Sequence, residues 1–389
     1  MQLSILYLFY ALYFMTMGST GGFTSIFYEE IGMNNTQIGM LMSLPVLVGM
    51  FAMPLWGIVS DHAKKRRHVI TFTLLASALF CFMYDMTDNF VLLMLIATGT
   101  AVFSQPINPL STSLSLEYTA QIGRSFGPIR MSGSIGYQIA ALLTGMILAT
   151  SMRGLYRMVG LITLCTAALS FFLPSIAGHQ SERSQARVSP LELLRDRRVI
   201  LLLLMVFIGT ITTMFYQSFF AKHFSNCGAS NTMVGVMYVL SVGMELPFLF
   251  FSNRLYKKLT VWQWLLLGMA VNAVRWIGIA LTDNVFALLL LQLPGVTVLM
   301  CFEFFPALYL SERVAPGLLS TVQTTLNFVA FGVARVVGSL LGGALSDRIG
   351  IANVFGVCGL LLLAGIAAFY IPSRRMSAAD RAQETGVQG

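Results

Sequence analysis

The chain has 389 residues, 56% of them hydrophobic and 10% charged, with a net charge of +8. Ordinary soluble domains carry about 25% charged residues, so this composition excludes a soluble enzyme core, and apolar runs such as Val199–Ile208 exclude a membrane β-barrel, whose strands alternate apolar and polar residues. Cys81, Cys165, Cys301 and Cys358 fall inside apolar stretches and Cys227 in a loop, which implies neither a disulfide framework nor a metal cluster, and the basic residues sit in alternate loops rather than in a nucleic-acid-binding patch.

A helix needs about 20 mainly apolar residues to cross roughly 30 Å of hydrocarbon. The first such segment, Leu3–Tyr28, has no basic region before it and no small-residue cleavage site, and it is too long for a signal peptide. Thr36–Ser60, His68–Met86, Phe90–Glu117, Ser125–Thr150 and Gly154–Pro174 follow, and residues 175–198 then form the longest polar segment. A second set reads Val199–Phe224, Asn231–Asn253, Val261–Leu281, Val285–Leu310, Leu318–Leu345 and Ile351–Ile371, ahead of a polar tail over 373–389 that is expected to be disordered. The pattern predicts an all-α integral membrane protein of 12 transmembrane helices in two six-helix bundles, residues 1–174 and 199–372, joined by a 175–198 linker. Seventeen of the 24 lysines and arginines, the Lys64–Arg67 cluster and Lys257 among them, fall on the side that holds both termini and the linker. The positive-inside rule makes that side cytoplasmic and places the protein as a multi-pass plasma (inner) membrane protein.

The loop after the second segment carries Gly57 and Asp61 followed by Lys64, Lys65, Arg66 and Arg67, which resembles the Gly-x-x-x-Asp and basic-cluster signature of the major facilitator superfamily. A glycine there lets a neighbouring helix approach, and an aspartate can pair with an arginine in one conformation and release it in another. The run Gly123–Tyr137, the segment Leu265–Gly278 with Val274-Arg275-Trp276-Ile277-Gly278 at its end, and Val242–Glu245 followed by Ser252-Asn253-Arg254 resemble lactose permease and, more closely, the phenylpropionate permease group of proton symporters. The resemblance implies the two-bundle major facilitator fold, alternating access, a solute contact at Arg130 and a place in proton coupling for Arg275. It also shows departures: Thr112 stands where lactose permease has a glutamate, Gly295 and Val298 where it has a histidine and a glutamate, and Glu303 where the phenylpropionate group has a histidine.

An ionisable side chain at the bilayer centre costs about 2.5–3.5 kcal/mol on insertion scales and marks function by default. Arg130, Glu245, Arg275, Glu303 and Arg335 are the embedded charges. Tyr137 lies seven residues from Arg130, Tyr238 seven from Glu245 and Phe328 seven from Arg335, so each pair shares a helix face. Arg130, Thr112, Tyr137, Asn108, Tyr238 and Gln292 are the candidate solute-binding residues, and Glu245, Glu303, Arg275 and Arg335 the candidate coupling residues. Gly57, Asp61, Arg66 and Arg67 form the candidate conformational switch. His62, His68, His179 and His223 fall in loops or at segment ends, which leaves the two glutamates as proton carriers. No helical His-Glu-x-x-His, paired transmembrane aspartates or histidine-rich loop points to an enzyme, a metal or a cofactor.

The sequence is therefore read as a secondary transporter of a small organic solute, expected to act as a monomer with protons as the coupling ion. Sugars, nucleosides and aromatic acids are the solute classes considered. Export of amphipathic compounds is the alternative direction, and a scramblase or a sensor the alternative class.

Overall fold

The structure, a computed structural model, describes residues 2–176, 196–313 and 326–386. Most of the 175–198 linker lies outside the described residues, as does the start of the Leu318–Leu345 segment. Every regular element described is helical, and among the described residues nine helices are long and apolar enough to cross a membrane.

Two compact units divide the chain: residues 1–184 with 220–239, and residues 185–219 with 240–389. The first holds α1 (Gln2–Thr20), α2 (Phe23–Glu30), α3 (Asn35–Asp61), α4 (Arg66–Met83), α5 (Phe90–Ser104), α6 (Ile107–Gln121), α7 (Gly127–Ile147) and α8 (Leu155–Ser170). α1 packs along α7, α4 along α8 and α3 along α5. Their shared core contains Leu6, Phe9, Tyr10, Ile70, Leu74, Leu114 and Ile129. Lipid tails are as apolar as these side chains, so close packing rather than escape from water holds such helices together. Gly136 shows the requirement: a Cβ there would collide with the backbone carbonyl of Ala11 on α1.

α9 (Arg197–Asn226) begins in the second unit and α10 (Asn231–Tyr256) ends there, while residues 220–239, the end of α9, the turn and the start of α10, belong to the first. There Lys222 pairs with Glu29 at 3.2 Å and donates to Asn35 at 2.7 Å, and the Asn231 amide donates to the Leu148 carbonyl at 2.8 Å. The second unit adds α11 (Val261–Leu281), α12 (Val285–Leu290), α13 (Phe305–Arg313), α14 (Gly342–Ile349) and α15 (Ile351–Gly386). α11 packs along α15, around fully buried Trp262, Trp276 and Phe302. Wide π-helical turns occupy Leu299–Phe304, Phe328–Val333 and Val337–Leu341. Such turns gather at functional sites.

Two local signals recur in both halves of the sequence. Gly32 and Gly228 both take positive φ, +88° and +94°, and close helices ahead of a cap, where Asn34 accepts from the Gln37 amide and Ser230 from the Met233 amide. Thr-Asp-Asn occurs at 87–89 and again at 282–284, and each asparagine side chain caps the helix that follows, Asn89 on α5 and Asn284 on α12.

Three expected spans are interrupted. The first breaks at Gly21–Gly22, the fourth at Gln105–Pro106 and the tenth at Leu291–Gly295, where a tight turn precedes the wide one. Proline explains two of these breaks, since Pro106 and Pro294 supply no amide hydrogen to the helix.

The expected disordered tail requires correction. α15 continues through Gly386, past Pro372, because its polar end is anchored. Asp380 is 3% exposed and accepts from Trp262 Nε1 at 2.9 Å and the Tyr309 hydroxyl at 3.2 Å, with Arg198 at 3.4 Å, and Ser377 pairs with Thr260 at 2.8 Å.

Candidate functional site

The basic loop after α3 is organised by one guanidinium. Arg66 is 6% exposed and meets Asp61 at 3.4 Å and Glu117, at the end of α6, at 3.0 Å. The neighbouring Arg67 donates to the Leu173 carbonyl at 3.1 Å. Asp61 and Arg66 thus form an ion pair, and Glu117 is a second acceptor that the sequence reading does not single out. In this structure open space lies where a Cβ on Gly57 would stand.

Further along the first unit, Arg130 lies near the start of α7, exposed, with its guanidinium 4.1 Å above the Phe14 ring. Around it a hydroxyl chain runs from the Tyr10 hydroxyl to Thr112 Oγ1 and from there to Asn108 Oδ1, both links at 3.4 Å. Thr112 and Asn108 therefore hydrogen-bond on α6, one turn apart, as half-buried neutral groups. Tyr137 and Tyr238 converge elsewhere, at the break in the first span. A Cβ on Gly21 would stand 3.5 Å from the Tyr137 hydroxyl and 3.7 Å from Tyr238 Cζ. The predicted solute-binding residues of this unit thus form two groups, one around Arg130 and one around Gly21.

In the second unit the interruption of the tenth span organises the site. Arg275, 2% exposed on α11, donates through Nε to the Leu291 carbonyl at 2.8 Å and through an Nη to Gln292 Oε1 at 2.5 Å. Its guanidinium also lies 4.4 Å from the Tyr216 ring and 4.7 Å from the Trp276 ring. Gln292 is fully buried, accepts a second bond from the Tyr216 hydroxyl at 2.6 Å and donates to the Leu288 carbonyl at 2.7 Å. In this structure Gln292 braces the helix break, and Arg275 is satisfied by neutral acceptors. Tyr216, the central partner, was not singled out from sequence, because an aromatic residue in an apolar run carries no signal of its own.

Glu303 stands on the wide turn Leu299–Phe304 and lines a cavity of about 230 Å³ with Phe302, Phe304, Asn327 and Phe331. Glu245, on α10, lies within electrostatic reach of Glu303. Neither carboxyl has a hydrogen bond or ion pair with another described residue. Arg335 occupies the short helical stretch Ala334–Val336 between two wide turns.

Apolar spanning helices, spans that are interrupted, and ionisable groups inside the spans together fit a membrane transporter. The chain belongs to the MFS_1 like family, whose sequence profile matches residues 1–357. It is 27% identical over 373 residues to the maltose permease of Geobacillus stearothermophilus, covering 95% of this chain and 94% of that protein. A probable 3-phenylpropionic acid transporter of Escherichia coli is 23% identical, with 91% and 93% covered. The fold matches the crystal structure of the nucleoside transporter NupG with a TM-score of 0.80 at 17% identity, over 94% of this chain and 98% of that one. The chain is thus a multi-pass secondary transporter and not an enzyme.

Proposed function

We propose that this protein carries a small organic solute by proton-coupled symport with alternating access. Twelve spans, arranged as the halves 1–174 and 199–372 with both termini in the cytoplasm, form the transporter in the plasma (inner) membrane, and it works as a monomer.

One observation carries the coupling: Glu245 and Glu303 sit on separate helices within reach of each other, with no ion pair to a described residue. Within a span, a proton is the simplest partner able to cancel such a charge. Arg275 and Arg335 act in the same half, Arg275 by fixing the interrupted helix that leads to the Glu303 turn. On the solute side, the exposed guanidinium of Arg130 and the hydroxyls of Thr112, Tyr137 and Tyr238 favour a ligand with hydroxyl or carboxylate groups. Maltose is first in the uptake panel because the likeness to the maltose permease spans nearly the whole chain, with nucleosides and 3-phenylpropionate after it.

The test is uptake into proteoliposomes driven only by a pH difference. Glu245→Gln and Glu303→Gln mimic the permanently protonated forms, so each is expected to block uphill accumulation while solute exchange continues. Uphill accumulation by both variants at the wild-type level refutes coupling through this pair.

A further inference from the structure

A groove that the transport reading does not use lies in the second unit, where α11 begins and α15 passes Pro372. It has a volume of about 400 Å³ and is lined by Gln263 and Leu266 of α11 and by Tyr370, Ser373, Arg374 and Ser377 of α15. Sites for small molecules occupy roughly 300–1,000 Å³, so the space is large enough to hold one. Its two walls are fixed to each other. The Ser377 and Thr260 hydroxyls hydrogen-bond at 2.8 Å, and Thr260 closes a reciprocal cap with Gln263 on the first turn of α11.

The charge of the groove has one sign. Arg374 is the ionised group in its wall, with its guanidinium 5.5 Å from the Tyr370 ring and no ion pair with a described residue. Arg375 follows it on α15, and Lys257 and Lys258 stand just before Thr260, all three exposed and likewise without an ion pair to a described residue. The next carboxylate along α15, Asp380, is 3% exposed and already accepts from Trp262, Tyr309 and Arg198. A planar guanidinium with no carboxylate beside it suits a phosphate oxygen.

What the groove opens onto decides which phosphate. Leu360, Leu363, Ala367, Tyr370 and Arg374 recur at helical spacing on one exposed face of α15. The apolar part of this spanning helix runs from Ile351 to Ile371, about the length that crosses the hydrocarbon, so Leu360, Leu363 and Ala367 meet lipid tails. Tyr370 and Arg374 then fall at the level of the headgroups, where tyrosine and arginine side chains gather. A soluble anion has no use for that apolar face, whereas a phospholipid uses the face and the cation together.

We propose that this groove binds an anionic phospholipid of the surrounding bilayer, with its phosphate at Arg374 and one acyl chain along the Leu363–Tyr370 face of α15. Lys257, Lys258 and Arg375 draw anionic lipid toward the groove, and Arg374 holds it there. The site lies apart from Arg130 and from Glu303, and it does not depend on proton coupling.

The test is native mass spectrometry of the purified full chain given equimolar phosphatidylglycerol and phosphatidylcholine with the same acyl chains. Bound phosphatidylglycerol is expected to exceed bound phosphatidylcholine, and Arg374→Gln to lower that preference roughly fivefold, about 1 kcal/mol, the worth of one cation at a lipid surface. Arg375→Gln makes the same charge change outside the groove wall and is expected to lower it less than about twofold, since salt screens a charge that does not touch the phosphate. Ala378→Trp fills the mouth of the groove from an exposed position and is expected to act as Arg374→Gln does. Equal binding of the two lipids by the wild type overturns the proposal, and so does a wild-type preference in either Arg374→Gln or Ala378→Trp. Equal losses in Arg374→Gln and Arg375→Gln mean diffuse attraction and overturn it as well. Glycerol 3-phosphate carries the anion without the chains and is expected not to displace the lipid; displacement assigns the groove to a soluble phosphate and overturns the lipid. Failure of pH-driven uptake removes symport alone, since this binding is measured without solute or gradient.

Discussion

Arg275 gives the sharpest quantitative test, because its environment sets two large terms against each other. Its two hydrogen bonds, to the Leu291 carbonyl and Gln292, are charge-assisted and contribute about 1.5–3 kcal/mol each. Stacking against Tyr216 and Trp276 adds on the order of 2 kcal/mol in a desolvated site. Against them stands the desolvation penalty of a buried guanidinium, several kcal/mol. Arg275→Leu removes both sides of this balance, and Gln292 keeps its bond from Tyr216, so the net loss is about 1–2 kcal/mol. Arg275→Lys keeps the buried charge but loses the planar fork that reaches two acceptors and both rings, so its loss is about 2–4 kcal/mol. The conservative change is therefore expected to be the more damaging. Thermal unfolding of the purified protein, followed by the fluorescence of adjacent Trp276, measures the order, with about 2 °C for each kcal/mol in a chain of this size. A lysine variant as stable as the wild type, or a leucine variant less stable than the lysine one, refutes the reasoning.

Three further outcomes follow from the geometry. Arg130→Ala gives up one exposed cation–π contact with Phe14, so it is expected to cost under about 1 kcal/mol in the same unfolding assay while abolishing solute uptake. Asp380→Ala strands the buried Trp262 and Tyr309 donors, and a loss of about 3–5 kcal/mol with faster hydrogen exchange over residues 373–386 is expected, Asp380→Asn losing less. A cysteine in place of Lys257, in the exposed turn after α10, is expected to resist impermeant thiol reagents added outside intact cells, and its labelling there refutes the cytoplasmic assignment of that loop.

Hydropathy makes the spans legible because lipid demands long apolar helices whatever their neighbours are. It does not report a break inside a span. At Gly21, Gln105 and Gln292 apolar residues continue on both sides, and only the glycine and proline content hints at the interruption. The Asp61–Arg66 pair was readable because its members lie five residues apart, whereas Glu117 reaches the same arginine from 51 residues away. The tail shows the opposite error. Residues 373–386 have the composition of a disordered segment, yet Asp380 meets partners 71, 118 and 182 residues distant, and no local pattern encodes that. Gln292 stands out in the sequence as a polar group in an apolar run, but sequence alone does not show the brace it makes with Arg275 and Tyr216.

Arg130 and Arg275 look alike in the sequence, each an embedded cation near an aromatic ring, but the fold gives them opposite freedom. Arg130 is exposed and its guanidinium rests on one ring face, so a bound solute can recruit it with little loss. Arg275 is enclosed by two hydrogen bonds and two rings, and to move toward a carboxyl it must give up the brace over the break at Leu291–Gly295. Any step that paired Arg275 with Glu303 would therefore also remodel the turn on which Glu303 stands, because the brace and that turn are successive parts of one interrupted helix. Such a link couples charge to helix geometry without a histidine relay. If the proposed proton coupling holds, the carboxyl is carried on the wide turn while the arginine holds the interruption that precedes it.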